Sequence, residues 1–122
     1  MSRRLKIPDV HDARAALWAW RALRRVRAQL RAGAVRHVAI PAPPRVKPRA
    51  GRAVKVVLAR EEPSCLERAL VLQRWLLAHG VAKDVVVGTH GGSRGNFLAH
   101  AWIDGEPQPN GPRYVEITRL RP

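Results

Sequence analysis

Apolar residues recur at helical spacing in two segments of the chain. In the first, Asp12 can cap a helix that starts at Ala13 and stops before Gly33. Its apolar positions lie three or seven residues apart, which predicts one face packed against the rest of the protein. They are Leu17, Trp20, Leu23 and Leu30.

The second helical segment follows Ser64, a residue type that favours the N-cap position. Cys65 then opens the first turn, Glu67 lies near the positive end of the helix dipole, and Gly80 supplies the stop. The positions with helical spacing are Leu66, Ala69, Leu70, Gln73, Leu76 and Leu77.

Beyond Gly80 the pattern changes to strands. Val81 to Thr89 is rich in valine, GGSRG is typical of a turn, and the residues from Asn96 to Asp104 alternate. A third strand is predicted from Tyr114 to Leu120. The alternation places Leu98, His100, Trp102 and Asp104 on one face of the middle strand.

Between the two helices lies a connector, from Ile40 to Lys55, with four prolines and a glycine that exclude a continuous helix or a central strand. Val54 to Ala59 fits either a short helix or a strand. We therefore predict one compact α+β domain, a cysteine-bearing helix on a short antiparallel sheet, preceded by a basic helix. This domain has two segments. Residues 1–53 hold the basic helix and the connector, and residues 54–122 hold the core with the cysteine-bearing helix and the sheet.

Charge is distributed unevenly. Residues 1–60 hold 16 basic and two acidic residues, whereas residues 61–122 hold seven of each, so the net charge of +14 lies in the first half. This excess favours an acidic partner: nucleic acid, an anionic membrane surface or an acidic peptide. Alternatively, the arginines simply solvate the outer face of the first helix. They are Arg14, Arg21, Arg24, Arg25 and Arg31.

Cys65 is the single cysteine, which excludes a disulfide framework and a cysteine-based zinc site. The histidines show no metal-ligand spacing. No stretch approaches the roughly 20 apolar residues of a membrane span, and the N-terminus lacks the apolar core of a signal peptide. We expect a soluble, cytoplasmic protein.

Two interpretations of Cys65 are open. A small cysteine on an amphipathic helix is usually part of the core. However, unpaired N–H groups at a helix N-terminus stabilise a thiolate, and an imidazole with a carboxylate partner completes the arrangement used in nucleophilic hydrolysis. His100 and an acidic residue on the next strand fit this second reading.

Three pieces of sequence decide between these readings: SCLERALVLQRWLLAHGV, DVVVG and FLAHAWID. They resemble the transglutaminase-like cysteine peptidases that remove leader peptides in lasso-peptide biosynthesis. The resemblance covers residues 54–120 and implies a transglutaminase-like, papain-like fold. LWAWRALRRVRAQL with its proline-rich connector also looks like the stand-alone members of this family.

The resemblance implies that Cys65 is the nucleophile and His100 the general base and acid. Its acidic partner normally lies on or just before the strand after the histidine, which points to Glu116. Asp104 is the alternative, although it is about 13 Å from His100 along an extended strand. Trp102 is expected to form a wall of the cleft, and the backbone N–H of Cys65 to donate to the oxyanion.

The implied reaction is cleavage between leader and core of a precursor peptide, without a cofactor. A partner ATP-dependent cyclase then uses the freed core amine. Because the chain is too short for a leader-recognition domain, we expect a separate recognition protein. The arginine face of residues 13–32 could bind that protein, the leader or the cyclase.

Two other classes of function stay open. One is another amidase or acyltransferase of the same fold. The other is a basic module that binds nucleic acid or a membrane surface, with Cys65 inert; it lacks interleaved aromatic residues for base stacking. The peptidase reading expects no nucleic acid and allows weak contact with a membrane surface.

Overall fold

The computed structural model describes residues 9–91, 97–107 and 114–122. Within these residues, three α-helices and a short 3₁₀ helix (Pro48–Ala50) precede three strands: α1 (Val10–Arg31), α2 (Gly51–Glu61), α3 (Cys65–Ala78), β1 (Val85–Gly91), β2 (Phe97–Ile103) and β3 (Val115–Leu120). The predicted α+β architecture is confirmed. Most of the predicted GGSRG turn lies outside the described residues.

The N-terminus of α1 lies one turn earlier than predicted. Asp9, not Asp12, is the N-cap, and its carboxylate accepts a hydrogen bond of 2.9 Å from the Asp12 amide. Because aspartate is a good N-cap at either position, the sequence alone did not distinguish them.

The buried face of α1 also differs from the predicted one. Leu17 and Trp20 are 49% and 40% exposed, whereas Leu23 is 1% exposed. The helix buries mainly small residues, which allow α2 and α3 to pack close to its backbone. Its buried residues are Ala15, Trp18, Ala19, Ala22, Leu23 and Val26.

The proline-rich connector lies along α1. Trp18 Nε1 donates to the Pro41 carbonyl at 2.9 Å. Gln29 holds the Ala39 backbone from both sides, donating to its carbonyl at 2.8 Å and accepting from its amide at 2.7 Å. The ambiguous segment from Val54 to Ala59 is helical, because it belongs to α2.

Helix α3 is the element that sequence predicts best. Ser64 is its N-cap, Cys65 its first residue, and Gly80 follows its end with a φ of 80°. Glycine adopts this left-handed conformation without the steric cost of a Cβ atom.

The three strands form one antiparallel sheet in the order β2-β1-β3. Gly88, in β1, pairs with His100 on one side and Glu116 on the other. The β1–β3 register shifts between Val87 and Gly88, because Ile117 is an extra residue in β3.

One cluster of buried side chains runs from Ala15 in α1 to Leu120 in β3, so the helices and one sheet face share a core. In the described part of the chain, no helix is long and apolar enough to cross a membrane.

We expect Leu23→Ala to lower the free energy of unfolding by about 2–5 kcal/mol, since it empties a fully packed site. Leu17→Ala, on the exposed side of the same helix, should cost less than about 1 kcal/mol. Urea denaturation followed by circular dichroism measures both. Equal losses in the two variants would contradict the observed burial of α1.

Candidate active site

The N-terminus of α3 is closed by a capping box. Ser64 Oγ accepts from the Glu67 amide at 3.2 Å, and Glu67 Oε1 accepts from the Ser64 amide at 2.9 Å. These reciprocal bonds hold the first turn, in which Cys65 is a free, partly buried thiol packed against the core. The helix dipole favours an anion there, which suits a nucleophilic thiolate.

A guanidinium from α1 reinforces this turn. Arg27 Nη2 donates to the Glu61 carbonyl at the end of α2 at 2.8 Å, and its Nε donates to Glu67 Oε1 at 3.3 Å. Arg27 thus joins the three helices beside Cys65. The S-x-x-E pattern predicts the capping box, but no local signal identifies Arg27, which lies 40 residues from Glu67 in the sequence.

Side-chain contacts define how α3 lies across the sheet. Gln73 donates to the carbonyls of Lys83 and Leu120, at 3.0 and 2.7 Å, where β1 begins and β3 ends. Nearer the N-terminus, Arg68 pairs with Glu106 at 3.3 Å, just after β2. From its N-terminus to its C-terminus, the helix therefore runs from the β2 side of the sheet towards the β3 side.

Cys65 lies one turn before Arg68, about 4.5 Å further along the helix axis. The N-terminus of α3 is thus on the side of β2, an edge strand and the strand that carries His100. Among the sheet strands, β2 is the main neighbour of α3.

The helical layer stops near the middle of β2. Ala101 is 3% exposed and Val87, its partner in β1, packs against the core. Ala99, two residues earlier on the same face, is exposed. His100 lies at this border, where the sheet opens to solvent.

His100 is on the opposite face of the sheet from the core, because side chains alternate along a strand and Ala101 belongs to the core. Its ring stacks on Trp102, with centroids 5.6 Å apart and an interplanar angle of 19°. Tyr114 lies 5.1 Å from the same imidazole and 6.0 Å from Trp102. Trp102 thus lies beside His100 as predicted, and Tyr114 is a neighbour that the sequence did not single out.

Gly88 makes room for this aromatic cluster of His100, Trp102 and Tyr114. A Cβ atom on Gly88 would lie 2.9 Å from Trp102 Cη2 and 3.0 Å from the Val115 carbonyl oxygen. The Trp102 ring can therefore lie over β1 only because this residue has no side chain.

The expectation that Glu116 lies on the strand next to His100 is wrong. β1 lies between β2 and β3, so the two Cα atoms are separated by two strand spacings, about 10 Å. The chain returns to the far edge of the sheet after β2, which strand patterns alone do not reveal. Glu116 still shares a row with His100, across Gly88.

Both predicted acidic partners bind the same cation. Arg119 Nε donates to Glu116 at 2.9 Å and its Nη1 donates to Asp104 at 2.9 Å. Asp84 lies 3.5 Å from the same guanidinium. The hydrogen bonds that Arg119 donates to Glu116 and Asp104 raise the pKa of its guanidinium above the usual value.

The structure does not bring Cys65 and His100 together: Cys65 packs against the core on the helical side of the sheet, whereas His100 lies in β2 on the opposite face. Within residues 9–91, 97–107 and 114–122, no hydrogen bond joins the thiol to the imidazole. Over the same residues, no three His, Cys, Asp or Glu side chains converge as metal ligands would.

A model of the Transglutaminase-like superfamily matches residues 12–120. The chain therefore belongs to the transglutaminase-like superfamily, and the match includes the basic helix as well as the cysteine helix and the sheet. Members of this class typically use a cysteine, a histidine and an acidic residue for peptidase or acyl-transfer chemistry. No curated protein and no solved structure gave a significant match.

The ion pair between Arg68 and Glu106 makes stability depend on pH. Partial burial opposes ionisation of Glu106, but hydrogen bonds from Arg68 and the Ile103 amide outweigh it and hold the pKa of this carboxyl below its usual value. A lowered pKa in the folded state stabilises the protein above the unfolded pKa of about 4.3, and this gain disappears as the pH falls through the folded pKa.

We expect Glu106→Gln to lower stability at pH 7 by less than about 1 kcal/mol, because the pair is partly exposed. The difference from wild type should shrink towards pH 3. Urea titrations at both pH values test this, with Glu62→Gln, an exposed carboxylate, as the control. A difference that stays constant with pH would contradict the role of this ion pair.

Proposed function

We propose that the protein is a cysteine peptidase that removes the leader peptide from a ribosomally made lasso-peptide precursor. The observation that carries the proposal is the placement of Cys65 at a capped helix N-terminus beside the strand of His100. Membership of the superfamily supports the chemistry. The resemblance of SCLERA and AHAW to lasso leader peptidases supports the substrate.

In the proposed reaction, the Cys65 thiolate attacks the carbonyl carbon of the bond between leader and core. The tetrahedral oxyanion accepts a hydrogen bond from the Cys65 backbone N–H, one of the free donors at a helix N-terminus. His100 first takes the thiol proton and then gives it to the departing amine of the core. Water, deprotonated by His100, hydrolyses the thioester and releases the leader.

This mechanism requires the His100 imidazole to reach the thiol past the edge of the sheet. Because the Cα–Cβ bond of His100 points away from the helical layer, this requires the backbone of the edge strand β2 to turn together with the side chain. Catalytic hydrogen bonds are often long in free enzymes and tighten only with substrate bound. We propose that the bond between Cys65 and His100 forms in this way.

Glu116 is our proposed third member of the triad, and Asp104 is the alternative. Glu116 shares a row with His100 across Gly88, and the Trp102 ring, which lies over Gly88, must move aside for the two side chains to meet. To hold the imidazole, Glu116 must exchange its contact with Arg119 for one with His100. Asp104 can then keep the guanidinium paired.

The proposed cellular setting is the cytoplasm, where the precursor is made. A separate recognition protein brings the leader, and an ATP-dependent cyclase joins the freed core amine to a side-chain carboxyl group. The peptidase step itself uses no cofactor in this scheme.

We expect purified wild-type protein, with the recognition protein, to cut a precursor peptide between leader and core. Cys65→Ala should abolish cleavage, and His100→Ala should reduce it by about 10²- to 10⁴-fold, as for loss of a general base. Mass spectrometry locates the cut. His37→Ala, which replaces an exposed histidine between α1 and the connector, should cleave normally.

Equal activity of wild type, Cys65→Ala and His100→Ala would overturn the peptidase proposal. Transfer of the leader to an added amine, lost in both variants, would instead identify an acyltransferase of the same fold. In either case the single cysteine allows alkylation of Cys65 to report directly on the thiol.

The acidic partner is tested by comparing Glu116→Gln with Asp104→Asn. Each substitution removes one carboxylate from Arg119, so each controls for the structural effect of the other. We expect Glu116→Gln to lower kcat by at least about 10-fold more than Asp104→Asn. The reverse order would assign the role to Asp104, and equal, small losses would exclude both.

A further inference from the structure

A basic groove runs along α1 beside the N-terminus of the cysteine helix. It has a volume of about 520 Å³ and is lined by Arg24, Arg27, Ala28, Arg31 and Glu67. The three arginines recur at spacings of three and four residues, which places them on one side of α1. Ala28 is exposed, and its small side chain leaves space between them.

The charges of this groove are only partly neutralised. Arg27 is paired with Glu67. Arg24 lies 5.0 Å from the Trp20 ring centroid, and Arg31 Nε donates to the Arg27 carbonyl at 3.4 Å. Neither Arg24 nor Arg31 forms an ion pair within the part of the chain that the structure describes. Two exposed guanidinium groups, those of Arg24 and Arg31, therefore flank the groove, and the carboxylate that lines it, Glu67, is paired with Arg27.

The groove is close to the proposed nucleophile. Glu67, in its wall, is two residues after Cys65 in the first turn of α3, so their Cα atoms are about 5.4 Å apart while their side chains project to different sides of the helix. From Arg24 to Arg31 the groove follows about 10 Å of α1. Since an extended peptide advances about 3.3 Å per residue, a side chain bound here lies within roughly five residues of a peptide bond at Cys65.

We propose that this groove binds an acidic side chain, Asp or Glu, of the peptide substrate close to the scissile bond. The inference rests on the proposed peptidase function. Arginine suits this role because its planar fork binds a carboxylate through two parallel hydrogen bonds. Arg27 and Glu67 are already paired and form the fixed wall, whereas Arg24 and Arg31 supply the charge that attracts the substrate.

The same helix provides a matched control. Arg14 and Arg21 line a different groove, formed with Leu17, Trp18 and the connector residues Pro41, Ala42 and Pro44. Both are exposed arginines seven residues apart, as are Arg24 and Arg31. A double change to glutamate has the same effect on net charge at either place, so a difference between the two variants reflects position.

The test uses full-length protein carrying Cys65→Ala, which binds peptide without cleaving it. Two fluorescein-labelled ten-residue peptides, identical except for two central aspartates or two central lysines, serve as probes in fluorescence anisotropy. We expect Arg24→Glu with Arg31→Glu to weaken binding of the aspartate peptide by about 10-fold. The same variant should bind the lysine peptide more tightly, and Arg14→Glu with Arg21→Glu should change neither by more than about 2-fold.

Three results would overturn the inference. Equal losses of affinity for the aspartate peptide in both double variants would mean that the peptide is attracted by the positive charge of the protein in general. Tighter binding of a ten-nucleotide single strand through Arg24 and Arg31 would make the groove a nucleic-acid site. Unchanged binding of the aspartate peptide in Arg24→Glu with Arg31→Glu would exclude the groove.

The binding test does not depend on the cleavage reaction. Suppose that wild type cuts no precursor, but that Arg24→Glu with Arg31→Glu still reverses the preference for the aspartate peptide over the lysine peptide. The groove is then a binding site for acidic peptides, and only the proposed peptidase function is wrong. With an active enzyme, the same double change should raise KM for a precursor with an acidic residue near the cut and leave kcat within about 2-fold. A fall in kcat with unchanged KM would contradict a binding role.

Discussion

The contact of Arg27 with α2 and α3 determines where the proposed nucleophile lies. One guanidinium, 31% exposed, satisfies the last carbonyl of α2 and the carboxylate that closes the capping box of α3. A lysine ammonium on a flexible stem lacks the planar fork that serves both acceptors in fixed directions. The position of Cys65 relative to α1 therefore follows from this ionic contact together with the small residues of α1 that let the helices approach.

Arg119 has a comparable role at the sheet. It holds Asp84 before β1, Asp104 after β2 and Glu116 in β3, so a single cation joins all three strands near the aromatic cluster. In the triad that we propose, Glu116 exchanges this cation for His100. The guanidinium then gives up one of several carboxylates and retains the others.

Features of the structure that depend on residues close together in the sequence were predicted better than features that depend on distant residues. Helix α3, its Ser64 cap and its Gly80 stop depend on neighbouring residues and were predicted correctly. The buried face of α1 was not, because burial there depends on alanines that fit against α2, whereas the larger Leu17 and Trp20 remain exposed. The strand order was missed for a related reason: β3 pairs with β1 across a register shift, and nothing local distinguishes this from pairing with β2. Cys65 and His100 are recognisable from their motifs, but Gly88 and Arg27 become visible only through what lies against them.

The arginine excess of α1 divides into distinct environments once the helix is packed. Arg27 is structural, because its charge is used by Glu67 and the end of α2. Arg14 and Arg21 lie along the connector, and Arg24 and Arg31 flank the groove beside the cysteine helix. A uniform basic surface would favour any polyanion, whereas a pair of guanidinium groups beside the first turn of α3 suits the acidic side chain that we propose for the substrate. Because α1 packs against the start of α3, this helix brings part of its positive charge to the turn that contains Cys65.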